Sequence, residues 1–248
     1  MKTTRLLGTA ALGLAAMAAQ AAEYAAEFTW AGRVSLAMPV TGVVQTVPAQ
    51  PGQRLKKGDL MATLNPVLFK AGVAEAKAEV DRMALEQTDA RRDLDRVKEL
   101  YARTVSATTE LDAAQLRFDR ATAALTGAQA RLEKARHQLE QSELRAPFDA
   151  IVLERLAEPG LVAATPCQPN PLFTVARSDE LVAQAVLPAS QASSMTPGRE
   201  VEILMGEKVF KGETRGVSLL ADGRCRLEVA VPQAHGMGPG QPVTLRLP

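Results

Sequence analysis

From Val67 to Glu143 the apolar residues recur on alternating three- and four-residue steps, and they do so in two successive series. The first series is Val73, Ala76, Val80, Met83, Ala90, Leu94, Val97 and Tyr101, with Gln87 as its polar break. The second is Leu111, Ala114, Phe118, Ala121, Leu125, Ala128, Leu132, Ala135 and Leu139. A mean step of about 3.5 residues marks a coiled-coil seam, narrower than the apolar stripe of a globular surface helix. Large residues alternate with alanine along the second seam, which lets its backbone approach the first closely. The spacing predicts two long helices folded back on each other, each of about 35 residues, in a rod roughly 50 Å long.

Off the seams, Glu79/Arg82, Asp89/Arg92, Asp93/Arg96, Asp95/Lys98 and Glu133/Arg136 sit three apart, within reach on a helix surface. Such pairs give solubility more than stability. From this stretch alone, a periplasmic coiled-coil chaperone or envelope scaffold without a transport role fits as well as any other reading. The flanking segments weigh against it, and it stays as the alternative reading.

A formal net charge of +1 with both signs interspersed gives no reason to expect nucleic acid or an anionic membrane as partner. Aromatic residues are only 4% of the chain, which suits slender helices and small sheets better than one thick core. Lys2 and Arg5 precede the apolar run Leu6–Ala19, and Ala19-Gln20-Ala21 fits a cleavage site. Residues 1–21 therefore read as a secretory signal, the run being too short and alanine-rich for a membrane anchor. No cysteine follows the site to carry a lipid. In an oxidising compartment Cys167 and Cys225 could bridge, but their sequence separation says nothing of their proximity.

The segment Glu27–Leu36 has strand character, and short β-rich runs follow it, separated by Pro-Gly and Lys-Gly turns. Beyond the helices the pattern returns. Pro147, Ala150, Ile151, Val152, Pro159 and Gly160 match Pro39, Gly42, Val43, Val44, Pro51 and Gly52 at one constant offset, and Leu172–Val175 echoes Met61–Leu64 after roughly four extra residues. Neither copy has apolar surface enough to fold alone, so the two should pack as halves of one small β-sandwich with the rod inserted between them. Asn65 reads as an N-cap, Pro66 as the first helical residue, Leu64 with Phe69 as a hydrophobic staple, and Pro147 as the far stop. After Glu180, β-runs at 181–187, 200–205, 208–211, 213–220, 224–231 and 243–247 predict a small barrel, which the strand near Phe28 would join.

This order resembles the periplasmic adaptor (membrane fusion protein, HlyD/RND-type) family of tripartite efflux pumps. The matching residues are Thr41–Val44 with Pro51–Leu60, and Leu144–Ala150 with Glu158-Pro159-Gly160. The resemblance implies an α+β multi-domain fold: a lipoyl-like sandwich (37–65 and 145–177) split by an α-helical coiled-coil hairpin (66–144), then a β-barrel (178–248), with 22–36 an N-terminal strand segment. It also implies a periplasmic location, an inner-membrane transporter (RND ahead of ABC), an outer-membrane channel, and a homo-oligomeric ring, six-membered in known members. Two departures stand out: Ala150 replaces the usual glycine, and a membrane-proximal domain looks absent or vestigial.

Adaptors of this kind meet the channel through an arginine, a leucine one turn later and a serine past the tip. Arg96, Leu100 and Ser106 are the nearest matches, Ser106 lying one position early. The resemblance argues against a swinging-arm carrier, because the turn that holds the modifiable lysine is replaced by the rod. The nearest lysine is Lys70, inside the helix, and Lys56 and Lys57 belong to another turn. His137 and His235 have no carboxylate or cysteine at motif spacing, and no nucleophile elbow or phosphate loop occurs, so no enzyme is expected. No cofactor or metal is expected either, and Met195, Met205 and Met237 read as packing residues.

Overall fold

The computed structural model describes residues 22–164, 170–192, 195–234 and 236–247. The expected signal sequence, Cys167 and His235 lie outside them. In chain order the elements are β1 (Ala22–Trp30), β2 (Val34–Leu36), β3 (Gly42–Thr46), β4 (Arg54–Leu55), β5 (Leu60–Leu64), α1 (Val67–Ala102), α2 (Thr108–Glu140), β6 (Glu143–Arg145), β7 (Ala150–Arg155) and β8 (Val162–Ala163). There follow β9 (Phe173–Arg177), β10 (Glu180–Pro188), α3 (Ala189–Ala192), β11 (Glu200–Met205), β12 (Lys208–Leu219), β13 (Arg224–Pro232) and β14 (Pro242–Leu247). Among the described residues, 30–180 form one compact unit, and 22–29 with 181–247 form the other. Among the described residues no helix is long and apolar enough to cross a membrane.

In the first unit two four-stranded sheets, β2-β9-β7-β4 and β6-β5-β3-β8, enclose a core that includes Val44, Met61, Leu64, Leu172, Phe173 and Val175. The sheets are copies. Gly42 pairs with Ala163 in one, and Ala150, 108 positions later, pairs with Leu55 in the other, which lies 108 before Ala163. Each copy carries a bulge at the same place, between Val44 and Thr46 and between Val152 and Glu154. Leu64 lies opposite Val44 and Val175 opposite Val152, so the offset grows from 108 to 111 and the insertion in the second copy is three residues, not roughly four.

The Pro-Gly turns are exchanged between copies. Gly52 N–H donates to Val152 C=O and Gly160 N–H to Val44 C=O, both at 2.8 Å. Val152 N–H donates in return to Gln53 C=O at 3.0 Å, and Val44 N–H to Leu161 C=O at 2.8 Å. Both glycines are left-handed, at φ 79° and 91°, as the third position of a type II turn after proline requires. Each half thus supplies hydrogen-bond partners that the other half's strand lacks, the physical reason neither half suffices alone.

The two helices leave and re-enter this unit at one point. Leu64 N–H donates to Ser142 C=O at 2.8 Å, and Thr63 pairs with Glu143. Asn65 Oδ1 accepts the Val67 N–H at 3.0 Å, as a capping side chain does. Pro66 itself is the cap residue and not the first helical one, since its C=O accepts the first helical bond, from Lys70 N–H at 2.9 Å. The far helix stops well before Pro147: Ser142 N–H and Oγ both turn back to Leu139 C=O, at 3.1 and 2.6 Å, and the chain passes into β6.

The second unit is a closed barrel of order β1-β10-β13-β12-β11-β14. The Phe28 strand, β1, lies in it, pairing with β14 from Ala22↔Leu247 to Glu27↔Pro242. The two strands expected on either side of Gly212 are one strand, β12. Gly212 marks close packing here and not a turn: a Cβ there would stand 2.7 Å from Val229 Cγ1 and 2.8 Å from Ala230 O.

Candidate functional site

The helical hairpin is antiparallel along its whole length. Glu79 meets Arg131 at 3.9 Å, Gln87 meets Thr122 at 3.3 Å, and Asp93 meets Arg117 at 2.8 Å. One partner's number rises as the other's falls, so the register holds without slippage. Met83 and Leu94 of α1 and Ala114, Ala128 and Leu132 of α2 are buried, while the other seam residues from Val73 to Val97 and from Leu111 to Leu139 are half-buried. Tyr101 departs from the expectation: at 43% exposure it lies beyond the last seam contact. Flanking the seam, the Arg91 guanidinium stands 5.4 Å over the Phe118 ring. The Arg82 guanidinium, helped by Arg131, holds the Glu79 carboxyl below the usual carboxylate range.

At the far end α1 closes in a Schellman turn. Thr104 N–H donates to Tyr101 C=O at 2.9 Å and Val105 N–H to Leu100 C=O at 3.0 Å. The residue that must turn left-handed is usually glycine; here it is Thr104, at φ 62° and, among the described residues, alone of its kind outside glycine. The turn brings the backbones of Leu100 and Val105 together, the pair whose apolar side chains commonly meet in such a motif. Leu100 is 39% and Val105 72% exposed, so with Tyr101 they form an apolar tip.

The three tip residues expected from sequence are not equivalent. Arg96 is tied to Asp93 one turn back, and Asp93 also holds Arg117 of the other helix. Arg96 therefore belongs to the rod's flank. Ser106 donates its hydroxyl to Glu110 and steadies the start of α2, whose cap residue, Ala107, offers no side-chain acceptor. Leu100 presents apolar surface to solvent. Tyr101 and Val105 lie in the stretch 101–109 that the sequence marks as the tip but are not singled out by it, although a leucine followed five residues later by an apolar residue past a helix end is the Schellman spacing.

At the base, Lys56 Nζ donates to Asp149 Oδ2 at 2.8 Å and Lys57 N–H to Oδ1 at 2.9 Å, joining the two halves. The Lys56 ammonium, then the Lys57 amide, hold the Asp149 carboxyl below its usual range. Both lysines thus serve a latch. Among the described residues no three His, Cys, Asp or Glu side chains converge as metal ligands, and Cys225 is a buried free thiol.

A sandwich of two sheet copies split by a helical hairpin, together with a six-stranded barrel, is the fold seen in membrane fusion proteins. The membrane fusion protein Spr0693 of Streptococcus pneumoniae superposes with a TM-score of 0.71 at 12% identity, over 92% of this chain and 98% of that one. A MacA–MexA chimera containing the Pseudomonas aeruginosa MexA α-hairpin gives 0.67 at 17% identity, over 92% and 79%. At such identities the likeness is one of fold. Residues 33–176 match the CzcB-like, barrel-sandwich hybrid domain family, and the chain belongs to that family. The multidrug resistance protein MdtA of Shigella boydii is 30% identical over 162 residues, 61% of this chain and 39% of that protein. The MdtA of Cronobacter turicensis is 32% identical over 124 residues, 50% and 30% respectively. The chain thus spans well under half the length of these relatives.

Proposed function

We propose that this chain is the periplasmic adaptor subunit of a tripartite efflux pump, exported by its signal sequence and joining an inner-membrane transporter, of the RND class, to an outer-membrane channel. In this reading residues 37–65 and 145–177 form the seat, 66–144 the coiled-coil arm and 178–248 the barrel that packs with its neighbours into a six-membered ring. The observation that carries it is the long antiparallel arm, hydrogen-bonded at its base and ending in apolar side chains that are exposed among the described residues. An arm so built has its free end presented to another molecule. Leu100, with Tyr101 and Val105, makes the channel contact; Arg96 reinforces it by exchanging Asp93 for a channel carboxylate or carbonyl; Ser106 holds the start of α2 in place.

The test is Leu100→Asp and Val105→Asp, each in a strain dependent on this protein for drug, dye or detergent resistance. Each should abolish resistance and tip-to-channel crosslinking while the purified protein keeps its far-ultraviolet helix signal. Full resistance in both variants would overturn the tip assignment. Unchanged sensitivity on deleting the whole gene would overturn the efflux role itself.

A further inference from the structure

Halfway along the hairpin, both helices are weak at the same level. Gln87 is the polar break in the α1 seam, and there the helices are joined by its 3.3 Å hydrogen bond to Thr122 where an apolar contact would otherwise sit. Next to it Thr88 Oγ1 donates to Ala84 C=O at 2.7 Å, and on α2 Thr126 Oγ1 donates to Thr122 C=O at 3.0 Å. Such back-bonding competes with the helix's own amides for the carbonyl and favours bending. Gly127 follows, and packing does not require it: an added Cβ would meet only Arg131 Nη2, at 4.0 Å. Glycine is the poorest helix former after proline, so its presence here has no steric explanation. The register from Glu79–Arg131 to Gln87–Thr122 puts Thr126 and Gly127 level with Met83, whose unbranched side chain is the one best able to repack when neighbours shift.

We propose that residues 83–88 of α1 and 122–127 of α2 form a soft joint at which the rod bends as one piece. Below it Glu79 bridges to Arg131 and above it Asp93 bridges to Arg117, so each half of the rod is clamped and the flexing is confined between them. About 14 residues of α1 lie beyond the joint, roughly 21 Å, and a bend of about 20° there carries the tip about 7 Å sideways. The use of that reach for docking rests on the function proposed above; the joint does not.

Hydrogen exchange of the full chain, resolved by residue, tests it. Amides at 86–90 and 124–129 should exchange about ten-fold faster than those one to two turns away on either side, a local minimum of protection in each helix. The triple variant Thr88→Ala, Thr126→Ala, Gly127→Ala substitutes better helix formers and should erase both minima. Protection that declines smoothly from base to tip, as in ordinary fraying, would overturn the joint, and so would minima that persist unchanged in the triple variant.

Discussion

Gly42 and Leu64 lend themselves to a quantitative test, because the second copy of the sheet already contains their alternative. A Cβ on Gly42 would stand 2.9 Å from Leu64 Cδ1, 3.4 Å from its Cβ and 3.5 Å from its Cγ. At the equivalent positions the other copy has Ala150 and Val175, both fully buried, so one methyl has moved from the facing side chain to the strand. Gly42→Ala alone overpacks the core at a cost of about 1–3 kcal/mol, offset by about 0.5–1 kcal/mol from a stiffer unfolded chain. Leu64→Val alone removes one buried carbon, for about 1 kcal/mol. Independent sites would make the double variant lose about 1–3.5 kcal/mol. The clash is gone in the pair, so the expected loss is about 1 kcal/mol or less, a favourable coupling of about 1–3 kcal/mol, the overpacking cost itself. Trp30, the only tryptophan, belongs to the same compact unit, and its fluorescence in urea reads the transition midpoint for all four proteins. Additivity within about 0.5 kcal/mol would refute the reasoning, because it would mean that Leu64 does not decide what fits at residue 42.

Thr104→Gly should raise hairpin stability by about 0.5–1 kcal/mol, the relief of about 1–2 kcal/mol of left-handed strain less glycine's own conformational cost. Thr104→Ala, which keeps a Cβ, should gain less, and a urea titration of the helix signal that ranks alanine above glycine would refute the left-handed turn. Asp149 gives a pH test. Because its carboxyl is held below the usual range in the folded protein, its latch contributes above about pH 4 and is lost as pH falls through the lowered value. Asp149→Asn should therefore flatten the acid limb of stability below about pH 4 and leave its neutral limb unchanged in shape; an acid limb identical to wild type would show that the latch carries no linkage.

The seams were legible because period is a local property, and seam residues from Val73 to Val97 and from Leu111 to Leu139 face inward as spaced. The two sheet copies were legible because Pro-Gly turns recur at a fixed distance. The exchange of those turns was not, since nothing local in Pro51-Gly52 says that its amide will find Val152 and not its own strand. Ala150 stands out in the sequence as a replacement for a glycine. It lies in a paired strand, and Val175 stands where the other copy has Leu64, the residue that crowds Gly42. Gly212 misled, as close packing and a turn both call for glycine. At the tip one residue carries two assignments. Asp93/Arg96 was read as a surface pair and Arg96 also as a channel contact, and a guanidinium engaged by its neighbour must give up that bond to serve the second purpose.

The position of the insertion follows from the load it bears. A sideways force on the tip of a rod roughly 50 Å long acts on its base through that whole length. Were the helices anchored to one sheet edge, separating that edge would release them. Here both feet meet on β5, through the Leu64–Ser142 bond and the β5–β6 pairing. β5 is an interior strand, and its other neighbour β3 is closed by Gly160 and Leu161 from the second copy. The α1 foot, on an interior strand, can leave only by parting β5 from both β6 and β3, while the α2 foot stands on the edge strand β6. The same logic holds at the end of β9, the equivalent interior strand, where the chain leaves for the barrel. Each copy sends out its large appendage from an interior strand, β5 or β9, and the exchanged turns hold that strand's inner neighbour, β3 or β7.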